Sequence, residues 1–194
     1  GQTCIAAKRF IVTPGIADAF VARFVEAAGK LAVGDPLDDA TTLAPMARAD
    51  LAEELHHQVE RSLAAGATLL LGGTPGPGSH YPATILDHVR PGMPAYHEEL
   101  FGPAASILRA RDDDDAVRLA NDTSFGLGAS VWTRDVARGE AVARRLDAGA
   151  TFVNAIVRSD VRLPFGGTKA SGYGRELAEH GIHEFMNIKT VYIA

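Results

Sequence analysis

The sequence predicts an α/β fold with an open, mostly parallel sheet flanked by helices. From residue 103 onward, short apolar runs alternate with segments of helical periodicity, which is the pattern of βαβ units. The 194 residues, 46% hydrophobic and 22% charged, are enough to build one substantial core. We therefore expect a globular domain whose strands are covered by helices.

The first part of the chain supplies two helices and three strands. The β-branched run RFIV predicts a strand that Pro14 and Gly15 end, and apolar residues at helical spacing predict the helix that follows it. A Gly/Pro-rich loop over 72–79 precedes the last strand of this part. The predicted elements are strand 9–12, helix 17–32, helix 48–65, strand 68–71 and strand 81–86.

The second part alternates more regularly and then changes character. Its predicted elements are strand 104–108, helix 112–120, strand 127–132, helix 135–146 and strand 150–153. A glycine-dense loop system, a short helix and a final β-rich segment over 189–193 follow. We expect residues 1–187 to form a catalytic domain and residues 188–194 to add a C-terminal oligomerisation strand.

Composition excludes several classes of partner. The net charge of -5 and the pI near 5.8 argue against a nucleic-acid-binding surface. No apolar run reaches the length of a membrane span, and no signal segment opens the sequence. The single cysteine, Cys4, excludes an internal disulfide and any cysteine-built metal site. These features predict a cytoplasmic protein with no membrane or nucleic-acid partner.

Cys4 is the first candidate for chemistry. A lone cysteine is more often a small buried hydrophobic residue than a nucleophile. Here Gly1 permits a close backbone approach, and the alanine-rich stretch after Cys4 could begin a helical turn that favours a thiolate. The backbone N–H of Cys4 could then face a developing oxyanion. From these residues alone, both interpretations stay open.

Several motifs in order resemble the aldehyde dehydrogenase superfamily across essentially the whole chain. GQTCIAAKR at 1–9 resembles the nucleophile motif of that family, and EELFGP at 98–103 its cofactor-contacting motif. NDTSFGL at 121–127 resembles the following segment, while FVN at 152–154 and PFGGTKASG at 164–172 resemble the closing motifs. LAEELHHQVE at 51–60 and GYGREL at 172–177 are similar to the succinate-semialdehyde branch.

The resemblance implies an NAD- or NADP-dependent oxidation of an aldehyde. Cys4 would attack the aldehyde to give a thiohemiacetal, and loss of hydride would leave a thioester that water hydrolyses. Glu99 would bind the ribose hydroxyls of the nicotinamide nucleotide, and Phe101 would pack beside the nicotinamide. Taken alone, Glu99 would be interpreted as part of a solvated turn and Phe101 as core.

The resemblance also places five residues at the aldehyde pocket. Asn154, Ser159 and Phe165 match positions that line it, and the serine is similar to one that hydrogen-bonds the distal carboxylate of succinate semialdehyde. Arg158 and Arg162 are candidate counter-ions, since a guanidinium suits a carboxylate. For each arginine the plainer interpretation is a surface charge.

The resemblance further implies that this sequence is part of a longer protein. It begins without Met inside a structured motif. The dinucleotide-binding domain, the general-base glutamate and an oxyanion-hole asparagine of the family lie upstream of the nucleophile. We therefore expect this chain to need a missing N-terminal cofactor domain as a partner, to be inactive alone, and to assemble as a homo-oligomer, either a dimer or a tetramer.

Two alternative functions stay open. One is a thiol esterase or acyl-transferase that uses Cys4 without NAD, and the other is a non-catalytic assembly module. His56, His57 and Glu60 have a spacing that could bind a metal, but no further ligand or motif supports such a site. We predict a solvated helix face there and no metal centre.

Overall fold

The computed structural model describes all 194 residues and divides them into two compact units, Gly1–Thr123 and Ser124–Ala194. Each unit has its own sheet, with four strands in the first and two in the second. Helices alternate with strands in both, so the predicted α/β class is confirmed. No helix combines the length and apolar character that a membrane span requires.

Unit 1 contains four strands and four helices. Its sheet has the order β1-β4-β3-β2; β1 and β3 lie parallel to β4, and β2 pairs antiparallel with β3 at the edge. The sheet is therefore mostly parallel, as predicted. The elements are β1 Arg9–Val12, α1 Ala17–Ala28, α2 Ala49–Ala64, β2 Thr68–Leu71, β3 Thr84–Asp87, α3 Pro94–His97, β4 Ala104–Arg109 and α4 Asp113–Asn121.

The central strand β4 divides the core of unit 1 into two clusters. The adjacent β4 residues Ile107 and Leu108 are both fully buried. Successive side chains of a strand point to opposite faces of the sheet, so these two enter different clusters. Leu108 belongs to a cluster with Leu55 and Val59 of α2, whereas Ile107 belongs to one that packs against α1. Because both faces are covered, the strands can be apolar on both sides.

Unit 2 is a single βαβ unit followed by loops. Strand β5, Gly128–Val131, runs parallel to β6, Ala150–Val153, and α5, Val136–Ala143, connects them. Asp135 accepts a hydrogen bond from the Arg138 backbone N–H at 3.0 Å and so caps α5. A 3-10 helix at Lys169–Ser171 and α6 at Ala178–His183 follow.

The structure departs from the predicted elements most clearly in three places. The strand over 189–193 is not formed, because these residues find no partner strand for their backbone hydrogen bonds. The strand predicted from Tyr81 begins only at Thr84, and Tyr81 is a buried core side chain. The short helix α3 was not predicted; it is four residues long with Pro94 in its first turn, too short to show helical periodicity.

Candidate active site

Cys4 lies in an exposed turn that leads into β1. The Ala6 N–H donates to the Thr3 carbonyl at 3.2 Å, and no helix follows. The helical turn that the alanine-rich stretch could have begun is not formed, because the chain passes from one turn directly into a strand. The thiol is accessible, since Cys4 is exposed and free.

The segment around Cys4 packs against the turn that carries Glu99. A β-carbon on Gly1 would collide with the carbonyl oxygen of Gly102, so only glycine permits this approach of two backbones. Gln2 adds a second attachment, because its side-chain oxygen accepts a hydrogen bond from the Ala47 N–H at 2.8 Å. Two motifs far apart in sequence therefore meet in unit 1.

The turn after α3 alternates exposed and buried residues. Leu100 is fully buried in the core, whereas Glu99 is exposed and Phe101 is 40% exposed. The Gly102 N–H donates to the Leu100 carbonyl at 2.9 Å and closes the turn. The buried leucine anchors the turn, and its two neighbours present a carboxylate and an aromatic ring to solvent.

Lys8 connects the Cys4 turn with the turn that carries Phe101. No role for Lys8 was predicted from the sequence. Its Nζ donates to the Thr3 carbonyl at 2.6 Å and lies 4.9 Å from the centre of the Phe101 ring, in cation–π geometry. Burial lowers the pKa of Lys8, and the charges of Glu99 and Cys4 act in the opposite direction. The ammonium group is thus placed among the three residues expected to react or to hold the cofactor. A cation four positions after the thiol was the available signal.

In unit 2, the family-like motif over 164–172 packs against the end of the motif over 121–127. The 3-10 helix binds the segment before β5: the Ser171 hydroxyl accepts from the Gly126 N–H at 3.0 Å, and the Ala170 N–H donates to the Ser124 carbonyl at 2.9 Å. A β-carbon on Gly149 would collide with the carbonyl oxygen of Gly166. The glycines of this loop therefore permit close packing against the start of β6.

Asn154 uses its side chain to hold the loop after β5. Its Oδ1 accepts from the Thr133 N–H at 2.9 Å, and its Nδ2 donates to the Thr133 carbonyl at 2.8 Å. Its φ of 54° is in the left-handed region, which asparagine tolerates better than most residues. In this chain the amide acts on the backbone beside the expected pocket.

The other four expected substrate residues lie in the loop after β6. Arg158 and Phe165 line a cavity of about 250 Å³ together with Asp160 and Leu163. Ser159 is exposed. The guanidinium of Arg162 donates to both carboxylate oxygens of Asp160, at 2.9 and 2.7 Å, and this pairing lowers the pKa of Asp160.

This pairing separates the two candidate counter-ions. The carboxylate of Asp160 already occupies the fork of Arg162, whereas Arg158 lines the cavity without a hydrogen bond to that carboxylate. Cys4, Glu99 and Phe101 thus belong to unit 1, and the five expected substrate residues belong to unit 2.

Helix α2 carries residues that the sequence analysis did not single out. Gln58 and Ser62 lie on its inner face and are buried, and Arg61 lies between them on the rim. All three hydrogen-bond to residues between α3 and Glu99 or to the helix beneath them. Polar residues at apolar positions of a helix were the available signal, since a buried amide or hydroxyl requires a partner.

The chain matches known proteins over nearly its whole length. The profile described as "Aldehyde dehydrogenase family" matches residues 1–191. A relative from Escherichia coli (strain K12), named succinate semialdehyde dehydrogenase [NAD(P)+], is 54% identical over 194 residues, which are 99% of this chain and 42% of that protein. A succinate-semialdehyde dehydrogenase [NADP(+)] from Mycobacterium ulcerans is 50% identical and is covered over 43% of its length by the whole of this chain.

Solved structures agree with these matches. Succinic semialdehyde dehydrogenase from Streptococcus pyogenes in complex with NADP+ superposes with a TM-score of 0.95 at 36% identity, covering 100% of this chain and 43% of that one. An NAD-dependent aldehyde dehydrogenase from Sinorhizobium meliloti also reaches a TM-score of 0.95, at 39% identity and with coverage of 100% and 39%. The chain thus spans about two fifths of the length of the relatives it matches.

Proposed function

The chain belongs to the aldehyde dehydrogenase family, and from this premise we propose that its protein oxidises succinate semialdehyde to succinate with NAD+ or NADP+. Cys4 acts as the nucleophile, and Glu99 and Phe101 contact the nicotinamide half of the cofactor. The residues after β6 form the part of the aldehyde pocket that recognises the carboxylate. The names of the relatives support the choice of substrate.

One observation carries the assignment of Cys4. The exposed thiol, the exposed Glu99 carboxylate and the half-exposed Phe101 ring stand on two turns joined by the Gly1–Gly102 backbone contact and by Lys8. We call the turn over 98–102 the cofactor turn. A nucleophile far from this turn could not pass hydride to a nicotinamide bound there. Here the fold holds both turns together without any other ligand.

The reaction at Cys4 proceeds in balanced steps. The thiolate attacks the aldehyde carbon, a C–S bond forms, and the carbonyl π electrons move to oxygen to give a thiohemiacetal. The C–H bond then breaks with its electron pair and the carbonyl re-forms as a thioester. Water adds to that carbonyl, the C–S bond breaks, and the carboxylic acid, the Cys4 thiolate and one proton are released.

The residues of the turn fit a nicotinamide nucleotide. The Glu99 carboxylate is exposed, and two carboxylate oxygens suit the two vicinal hydroxyls of a ribose. The Phe101 ring is 40% exposed and offers a flat apolar surface beside them. When bound, the nicotinamide supplies the acceptor for the hydride that leaves the substrate carbon.

Arg158 and Ser159 are the stronger candidates for binding the substrate carboxylate. The exposed Ser159 hydroxyl can donate a hydrogen bond, and Arg158 lines the cavity of about 250 Å³ with the ring of Phe165. Arg162 contributes less, since Asp160 neutralises it. Within unit 2, Phe165 offers an apolar surface to the stem of succinate semialdehyde and Arg158 offers a cation to its carboxylate.

Comparison of two aldehydes of equal length tests the substrate. With the full-length enzyme and NAD+ or NADP+, we expect kcat/KM for succinate semialdehyde to exceed that for butanal by about a hundredfold, because only the former offers a carboxylate to Arg158 and Ser159. Cofactor reduction is followed by absorbance. Equal values for the two aldehydes would contradict the substrate assignment while leaving aldehyde oxidation intact.

We also propose that these 194 residues alone do not oxidise aldehydes. Glu99 and Phe101 contact only part of a dinucleotide, and no general base is assigned among the residues near Cys4. Loss of a base typically costs a factor of about 10² to 10⁴ in rate. Reduction of NAD+ by the purified 194-residue chain with aldehyde, at a rate near that of the full-length protein, would overturn this proposal.

A further inference from the structure

We propose that helix α2 is a positioning element for the cofactor turn, and that Gln58 and Arg61 clamp Glu98 so that the carboxylate of Glu99 is held ready for the ribose. The proposal rests on the proposed function, since it concerns how Glu99 performs its role. Neither Gln58 nor Arg61 touches the reacting atoms, so both are positioning residues.

Gln58 is the buried half of the clamp. It is only 8% exposed, and its amide Nε2 donates to the Glu98 carboxylate at 3.0 Å and to the Glu99 carbonyl at 3.3 Å. A buried amide without partners would be costly, so these bonds fix the backbone of the turn relative to α2. The second of them acts directly on the residue that carries the proposed ligand.

Arg61 is the outer half. Its guanidinium makes two parallel hydrogen bonds to Glu98, Nη1 to Oε1 at 2.9 Å and Nη2 to Oε2 at 2.7 Å. This fork geometry is directional and fixes the orientation of the carboxylate. The bonds from Arg61 lower the pKa of Glu98, which shows that they favour its charged form.

A third residue of the same helix face holds the segment just before the turn. The Ser62 hydroxyl accepts from the Ala95 N–H at 2.9 Å and donates to the Gln58 carbonyl at 2.7 Å. The Ala95 carbonyl in turn accepts from the Ser106 hydroxyl of β4 at 3.1 Å. Positions 58, 61 and 62 lie on one side of a helix, and here that side binds the segment from α3 to Glu99.

The result is a turn fixed on both sides of Glu99. Glu98 is held by α2, and Leu100 is fully buried in the core, which leaves the exposed Glu99 side chain as the free group between two anchors. A ligand that is already oriented loses less freedom when the cofactor binds. The clamp therefore acts on cofactor affinity and leaves the chemistry at Cys4 alone.

Arg61→Met in the full-length enzyme tests the clamp, because it removes the charge and keeps most of the stem of a half-exposed side chain. We expect the Kd for NAD(P)+ to rise about fivefold, while kcat at saturating cofactor changes less than twofold. The charge-swapped pair Arg61→Glu with Glu98→Arg should recover most of the affinity. A merely structural role would lower kcat and active-enzyme yield together and would show no such recovery.

Arg144→Met is the matched control. Arg144, at the C-terminal end of α5 in the other unit, donates two hydrogen bonds to one carboxylate oxygen of Glu140, at 3.0 and 2.6 Å. It should leave the Kd unchanged. An unchanged Kd in Arg61→Met, or the same rise in both variants, would overturn the clamp.

Glu99→Ala distinguishes a failure of the clamp from a failure of the proposed cofactor role of Glu99. If it weakens cofactor binding and Arg61→Met does not, the clamp fails and the cofactor role of Glu99 stands. If Glu99→Ala binds NAD(P)+ as tightly as the wild type, the cofactor role and the clamp fail together.

Discussion

The two units of this chain bury apolar surface very differently. With the exception of Ala143, every buried hydrophobic residue lies in unit 1. Unit 2 carries most of the large exposed hydrophobic side chains, including Trp132, Phe185, Tyr192 and Ile193. Unit 1 covers its sheet on both faces with its own helices, whereas the two strands of unit 2 have one helix between them.

Unit 1 therefore buries its apolar residues within itself, whereas unit 2 leaves an apolar surface that is open to contact. Unit 1 holds the Cys4 turn and the turn with Glu99 and Phe101 against its own core, so the proposed nucleophile and the proposed cofactor ligands keep their relative positions. An apolar surface as extensive as that of unit 2 is typical of protein–protein interfaces. Either the rest of a longer protein or a second copy could cover this surface, and the strand expected at 188–194 has no partner strand within this chain.

Cys4→Ser should give the largest effect and would test whether unit 1 supplies the nucleophile. A serine hydroxyl is far less ionised than a thiol, so we expect kcat of the full-length enzyme to fall by about a thousandfold or more. The melting temperature should stay the same, because Cys4 is exposed. A variant that keeps a tenth of the activity would remove Cys4 from the chemistry.

A pair of leucine substitutions would sharpen the contrast in burial. Leu108→Ala in β4 should lower the free energy of unfolding by about 3 kcal/mol, since the side chain is fully buried. Leu163→Ala in unit 2 should cost less than about 0.5 kcal/mol, since Leu163 is 57% exposed. Chemical denaturation of the 194-residue chain measures both. Equal losses would break the comparison.

Substitutions in the loop after β6 test whether unit 2 recognises the substrate. We expect Arg158→Met or Ser159→Ala to raise KM for succinate semialdehyde about tenfold and to leave KM for butanal unchanged. Arg162→Met serves as the internal control and should act more weakly, because its guanidinium is bound to Asp160. Should Arg162→Met prove the most damaging of the three, the assignment of the two arginines would be reversed.

Lys8→Met tests the connection between the two turns of unit 1. The variant removes the hydrogen bond to Thr3 and the cation above Phe101, so we expect the Kd for NAD(P)+ to rise about threefold. Lys8→Arg should retain part of the affinity through the same two contacts. Isothermal titration with the full-length enzyme would measure these changes, and identical values for wild type and Lys8→Met would exclude the connection.

The smallest effect concerns the acid sensitivity of the clamp. Because Arg61 lowers the pKa of Glu98 below its ordinary value of 4.5, the pair stabilises the fold above that pH and loses its contribution as the pH falls through the lowered pKa. The melting temperatures of wild type and Arg61→Met should differ by at most a few degrees at pH 7, since the pair is half exposed, and should converge below pH 4.5. A constant difference across this range would mean that the ion pair is not responsible.

The sequence predicted the strands best where they are short, apolar and bounded by turn residues. Strands 9–12, 68–71 and 150–153 were predicted with the bounds the structure has. The helix expected over 17–32 ends at Ala28, because Gly29, a poor helix former, follows as its C-cap. Local composition therefore predicts short strands with their bounds, but it predicts the end of this helix less well.

The site divides in the same way. The resemblance placed Cys4, Glu99 and Phe101 on turns that the structure brings together, but periodicity alone could not pair residues about a hundred positions apart. The role of Gln58 was not predicted, because its amide stands at a helix position where an apolar side chain would be expected, and its partners lie far away in sequence. The pairing of Arg162 with Asp160 is local, since they are two positions apart, but it depends on a loop conformation that the sequence pattern did not predict.

The contact of Gly1 with Gly102 has a consequence for engineering. A β-carbon on Gly102 would in its turn lie 2.5 Å from the Leu55 side chain, so neither glycine accepts a larger residue without rearrangement. A redesign that lengthens or reorients one turn would also displace the other. The aim of such a redesign could be to accept a bulkier aldehyde or a synthetic nicotinamide analogue. Libraries that vary both turns jointly should therefore yield more active variants than libraries that vary either one separately.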